Sequence, residues 1–235
     1  MGKVGAVTGG IGDIVYSIPV MRKLGITTVY VKENFYPPGL GSMYTVCKPL
    51  LEHQGIECLP TSGAYPFSSF EPGLKYDYDL DAWRCMSGRD RVHIIKNMCL
   101  YYRVSIDGWN RPWLNGFDIR NFENYSLIFL TQRWRENSKV SWPLVARQHN
   151  LTANNAAFIG HPGDYALWVT QYFQLPHWVT PTLYDMACII ASCKALYCNQ
   201  GVALTIAQGL GKPYWLEVKP GKSNTLMYTS NEHIL

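Results

Sequence analysis

The sequence predicts an α/β protein built from two Rossmann-like halves that face a central cleft. Three observations predict it. Short apolar runs alternate with stretches of helical spacing along most of the 235 residues. Glycine-bearing turns stand where strands pass into helices, at residues 9–13 and again at 199–201. A polar stretch carrying Gly108, Pro112 and Gly116 interrupts the alternation over residues 105–123. That interruption sets the boundary between a first half, residues 1–115, and a second half, residues 116–235.

The first half opens as a βαβ unit. Lys3–Val7 is a buried-type strand, and Ile14, Val15, Ile18, Met21 and Leu24 recur at helical spacing up to Gly25. Thr27–Val31 is β-branched and reads as the second strand. Met43–His53 reads as a helix, Ile56–Leu59 as a third strand, Tyr76–Trp83 as an alternating strand and Asp90–Arg103 as a helix. Loops are expected at 34–42 and 60–73. In the second half, strands are predicted at Leu127–Leu130, Ala156–Ile159, Ala195–Cys198 and Pro213–Val218. Helices are predicted at Trp142–His149, Tyr165–Phe173, Tyr184–Ser192 and Val202–Leu210.

Composition narrows the class. With 47% hydrophobic and 16% charged residues the chain can bury a core. The net charge of +4 suits an anionic ligand without reaching the basic footprint of a dedicated nucleic-acid binder. Seven cysteines include no C-x-x-C pair, so they read as reduced thiols rather than a zinc site or a disulfide framework. No apolar run reaches the roughly 18 residues of a membrane span, and Gly9, Gly10, Gly12 and Asp13 interrupt any leader-like start. A cytoplasmic protein is expected.

Four segments can carry chemistry. G-G-I-G-D at 9–13 joins a strand to a helix, and Gly12 lets a ligand approach the backbone. It lacks the spacing of a dinucleotide fingerprint, because Val15 stands where a third glycine would. Asp13 reads either as a helix cap or as a base at the cleft mouth. At 199–203, Gly201 frees a turn and the N–H groups of Val202 and Ala203 open a helix toward a diphosphate. Arg133, Arg135 and Lys139 follow a strand and offer three cations to a leaving phosphate. His161, also after a strand, can approach a nucleobase, while Asp164 caps the next helix. Each segment has a plain structural alternative: a cap, a turn or a solvated loop.

Together these segments resemble the bacterial heptosyltransferases, glycosyltransferase family 9 of the GT-B fold. G-D-I-V-Y-S-I-P at 12–19, K-V-S-W-P at 139–143, F-I-G-H-P-G-D at 158–164 and the segment 183–213 follow that family's motifs in order. The resemblance implies an inverting glycosyltransferase of compact GT-B type that needs no metal and no cofactor beyond its nucleoside-diphosphate-sugar donor. It implies residues 1–115 as the acceptor-side half and residues 116–235 as the donor-side half. It implies Asp13 as the base and Lys139 or Arg133 as the cation on the departing phosphate. It implies that Asn199, Gln200 and Gly201 hold the donor. Asn199 stands where the family has Asp, and Leu204 where it often has His, so heptose is not carried over.

The family acceptor is a surface glycan such as lipopolysaccharide core. A basic-aromatic middle segment with Arg84, Arg89 and Trp109 offers acceptor contacts. It admits a second reading, a phage-type enzyme that glycosylates a hydroxymethylated base in DNA. A third reading is a nucleotide-binding module that has lost the reaction. It is motivated by the departures at Asn199 and Leu204.

Overall fold

A computed structural model describes residues 2–7, 9–33, 41–62, 73–119, 121–131, 135 and 138–235. Two open parallel sheets are present, as the alternation of strand and helix requires. The first holds β1 (Lys3–Val7), β2 (Ile26–Lys32), β3 (Glu57–Thr61) and β4 (Tyr78–Asp79) in the order β3-β2-β1-β4. Its helices are α1 (Ile11–Leu24), α2 (Met43–His53) and α3 (Ile94–Tyr101). The second sheet holds β5 (Ser126–Phe129), β6 (Ala156–Ile159), β7 (His177–Trp178), β8 (Ala195–Asn199), β9 (Tyr214–Glu217) and β10 (Glu232–Ile234). Its order is β10-β9-β8-β5-β6-β7. Helices α4 (Trp142–Gln148), α5 (Pro162–Gln171), α6 (Leu183–Ser192) and α7 (Val202–Leu210) connect it.

The central strands β5, β6 and β8 are buried along their whole length, which is why they read as unbroken apolar runs. Three expectations need correction. The strand expected over Tyr76–Trp83 pairs only at Tyr78–Asp79, and Ala82–Cys85 turns into a 3-10 helix. The helix expected over Asp90–Arg103 is confined to Ile94–Tyr101, capped by His93 Nδ1 accepting from the Ile95 N–H. Pro213–Val218 is not the last strand, because β10 adds to its edge in parallel. Most of the loops expected at 34–42 and 60–73 lie outside the described residues.

One hydrophobic core runs through both halves. It joins Ile14, Val15 and Ile18 of α1 and Leu50 and Leu51 of α2 to Met186 and Ile190 of α6 and Leu204 and Ile206 of α7. Helix α1 packs on α7, and α2 on α6. The connecting segment is pinned where the Trp113 and Leu114 N–H groups both donate to the Gly209 carbonyl, at 2.7 and 2.8 Å. A second cluster with Trp142, Phe158, Trp168 and Tyr197 fills the outer face of the larger sheet.

A chain of hydrogen bonds, buried except at its part-buried last link, also crosses between the halves. Tyr16 donates to Gln208 Oε1 at 2.7 Å, Gln208 Nε2 donates to the Tyr214 hydroxyl at 3.1 Å, and Tyr214 donates to Glu232 Oε2 at 2.8 Å.

Candidate active site

The C-terminal ends of β1, β4, β8 and β9 converge on a pocket of about 270 Å³. Ligand crevices of open α/β sheets form at that end of the strands. Gly10, Gly12, Asp13 and Tyr16 line it from α1, and Trp83, Arg84, Arg89 and Asp90 from the segment after β4. Gln200, Gly201, Val202 and Thr205 come from the start of α7, and Lys222, Asn224 and Thr225 from the loop after β9. The two helix N-termini nearly touch. A methyl group on Gly12 would stand 3.3 Å from Thr205 Oγ1 and 3.8 Å from Val202 Cα. Two positive helix ends from opposite halves thus face one cavity.

Asp13 lies in the first turn of α1. Its Oδ2 accepts from the Gly10 N–H at 3.1 Å and from the Arg84 guanidinium at 2.5 Å. Arg84 also reaches Asp81 Oδ1 at 3.1 Å, and the other Asp81 oxygen accepts from the Gly9 N–H at 2.9 Å. The result is an Asp13–Arg84–Asp81 bridge, of which Asp13 and Arg84 line the pocket. The Asp13 side chain keeps 20% of its surface exposed. Burial pushes its carboxyl above the usual carboxylate range, and the Arg84 guanidinium pulls it back only in part. An aspartate with a raised pKa, one face on a pocket and a cation beside it has the form of a general base.

Asp13, Gly12, Gln200, Gly201, Val202, Arg84 and Arg89 are brought together at this pocket. Other sequence candidates are not. Lys139 is exposed on the segment before α4 and is not among the pocket's lining residues. Arg135 pairs with the buried carboxylate of Glu217 at 3.4 Å and lies over the Tyr172 ring. Glu217 also accepts from Ser138 Oγ and from Trp142 Nε1, so Arg135 neutralises an interior charge rather than facing the cavity. Asn199 is fully buried and exchanges two hydrogen bonds with the Thr131 backbone, which ties β8 to the end of β5. His161, rather than Asp164, caps α5 by accepting from the Gly163 N–H through Nδ1, and Asp164 lies in the first turn. Trp109 packs on His93 and under the Lys96 ammonium. Arg133 lies outside the described residues.

The sequence reading missed Tyr16, Asp81, Asp90, Thr205, Lys222, Asn224 and Thr225. The loop after β9 follows the C-terminal end of a parallel strand, as do the loops after β5, β6 and β8. The Asp81 contact, by contrast, depends on β4 pairing with β1 at Gly5 and Ala6, which no local pattern announces. Among the described residues no group of three or more His, Cys, Asp or Glu side chains is placed to hold a metal ion. No helix of the described residues is long and apolar enough to cross a membrane.

No family model and no curated protein matches the chain by sequence. The fold, however, is that of known glycosyltransferase structures of the GT-B-like heptosyltransferase type. A glycosyl transferase family 9 protein of Veillonella parvula superposes over 99% of this chain and 85% of its own, at 10% identity and a TM-score of 0.57. The ADP-heptose lipopolysaccharide heptosyltransferase II of E. coli covers 99% of this chain and 90% of its own, at 13% identity and a TM-score of 0.56. The dodecameric iron-containing heptosyltransferase TibC of enterotoxigenic E. coli, in complex with ADP-D-β-D-heptose, covers 98% and 62%, at 11% identity and a TM-score of 0.58.

Proposed function

We propose that the chain is an inverting glycosyltransferase that moves a sugar from a nucleoside-diphosphate sugar to an acceptor hydroxyl. The observation that carries the reading is the position of Asp13. Its carboxylate sits where the N-termini of α1 and α7, one from each half, open into the same pocket. The likeness of the whole fold to family 9 glycosyltransferases supports it.

In this reading the donor diphosphate lies at the start of α7, where the Gly201 and Val202 backbone meets it. Gly201 has no side chain to cap the helix, so the end stays open to a ligand. Asp13 removes the proton of the acceptor hydroxyl as that oxygen attacks the anomeric carbon. The bond from that carbon to the phosphate oxygen breaks with its electron pair going to the phosphate. Attack opposite the leaving group inverts the centre. Arg84 keeps Asp13 ionised and aimed, and Arg89 stands on the acceptor side of the pocket. A surface glycan is the acceptor class we favour, and the protein is proposed to act in the cytoplasm without a metal.

The test is Asp13→Asn. Loss of a general base lowers kcat by roughly 10²- to 10⁴-fold. Nucleotide binding should persist. Transfer is followed by mass spectrometry with panels of nucleotide sugars and of acceptors, including glycan cores and hydroxymethylated DNA. An Asp13→Asn protein that transfers sugar at the wild-type rate would refute the mechanism.

A further inference from the structure

We infer that Lys222, not Lys139, is the cation that meets the departing diphosphate, and that Asp90 occupies it until the donor binds. The inference rests on the glycosyltransferase reading above and names a residue that the reading leaves unassigned.

Among the described residues three cations line the pocket: Arg84, Arg89 and Lys222. Arg84 is engaged by two carboxylates. Arg89 donates to the Arg84 carbonyl and also lines an adjoining pocket of about 330 Å³ on the side of β4. Lys222 is the cation that the donor half contributes among the described residues. Its loop is fastened beside the start of α7 by Gln200. Gln200 Nε2 donates to the Lys222 carbonyl at 2.8 Å and to Thr225 Oγ1 at 2.9 Å, and Gln200 Oε1 accepts from the Lys219 N–H at 2.8 Å. The backbone that carries Lys222 is therefore held beside the helix end proposed to seat the phosphates.

Lys222 Nζ pairs with Asp90 Oδ2 at 2.5 Å across the cleft. The two side chains are 37% and 46% exposed, and ion pairs this open contribute little to stability. A diphosphate offers more charge and more acceptor oxygens, so it displaces a single carboxylate. The backbone around the pair is fixed independently, by the Ser223 N–H on the Asp90 carbonyl and the Ile94 N–H on the Asn224 carbonyl. Exchange then needs only the flexible lysine side chain to turn. As the bond to the anomeric carbon breaks, Lys222 neutralises the charge that the phosphate oxygen gains, while the acceptor proton goes to Asp13.

Calorimetric titration with ADP, UDP and GDP tests this. For the nucleotide that wild type binds, Lys222→Gln should weaken the diphosphate roughly tenfold or more. The matching monophosphate should change by less than about twofold, since it lacks the contacted group. Lys222→Arg should restore most of the affinity. Asp90→Asn should tighten diphosphate binding, because the competing carboxylate is gone, whereas a merely structural pair would weaken it. A Lys222→Gln protein that binds the diphosphate like wild type, or an Asp90→Asn protein weakened as much as Lys222→Gln, would overturn the inference alone. Wild type that binds none of the three nucleotides would overturn the glycosyltransferase reading with it.

Discussion

Asp13 holds two roles at once, as the partner of the Gly10 N–H that closes the first turn of α1 and as a pocket carboxylate. The two are compatible because both of its hydrogen bonds fall on Oδ2. Its raised pKa has a sign that can be checked. As the proposed base, Asp13 works only when ionised, so activity should fall as pH drops through that pKa, and burial places this acid limb above the ordinary aspartate value of about 3.9. Arg84→Gln removes the opposing pull and moves the limb to higher pH. The measurement is kcat/KM against pH for both proteins, and a limb that stays put would show that Arg84 does not tune Asp13. The aspartate itself was legible in the sequence, because a carboxylate after a glycine turn at a helix start is a local pattern. Its partnership with Arg84, 71 residues away, was not. Arg135 misled for the same reason: the buried carboxylate it neutralises, Glu217, lies 82 residues further on.

At the level of elements, the strand-to-helix turn at Gly201 shows why glycine is needed there. A Cβ on Gly201 would sit 2.8 Å from the Phe129 ring at the end of β5, although the backbone conformation itself is open to any residue. Gly201→Ala should therefore cost about 1–3 kcal/mol by overpacking, and Phe129→Leu in the same chain should recover part of that cost. Urea unfolding of the single and double variants measures it, and an additive double variant would dismiss the contact as the cause. Long elements were readable because their periodicity extends over several turns or over a fully buried run, as in α1 and β8. The two-residue β7 and three-residue β10 were not, because edge strands of that length show no period and owe their pairing to their neighbours. Capping explains the shortened α3, where the side chain of His93 starts the helix later than the apolar spacing begins.

On the scale of the molecule, the glycine turns disclosed two sheets, but not that they share an interior. Hydrophobic spacing tells which face of a helix is buried and is silent about what buries it. Here α1 and α7 bury each other, and the core passes between them without a break. The chain should therefore unfold in one cooperative step. Scanning calorimetry that resolved two transitions, one for each sheet, would contradict this. The line of hydrogen bonds from Tyr16 through Gln208 and Tyr214 to Glu232 has a practical sequel. Tyr16 is part of the pocket wall, and Glu232 belongs to the edge strand β10. A disturbance of that edge would therefore be felt at the wall, in the other half of the molecule. Glu232→Gln, remote from the pocket, should register there as a change in ligand affinity.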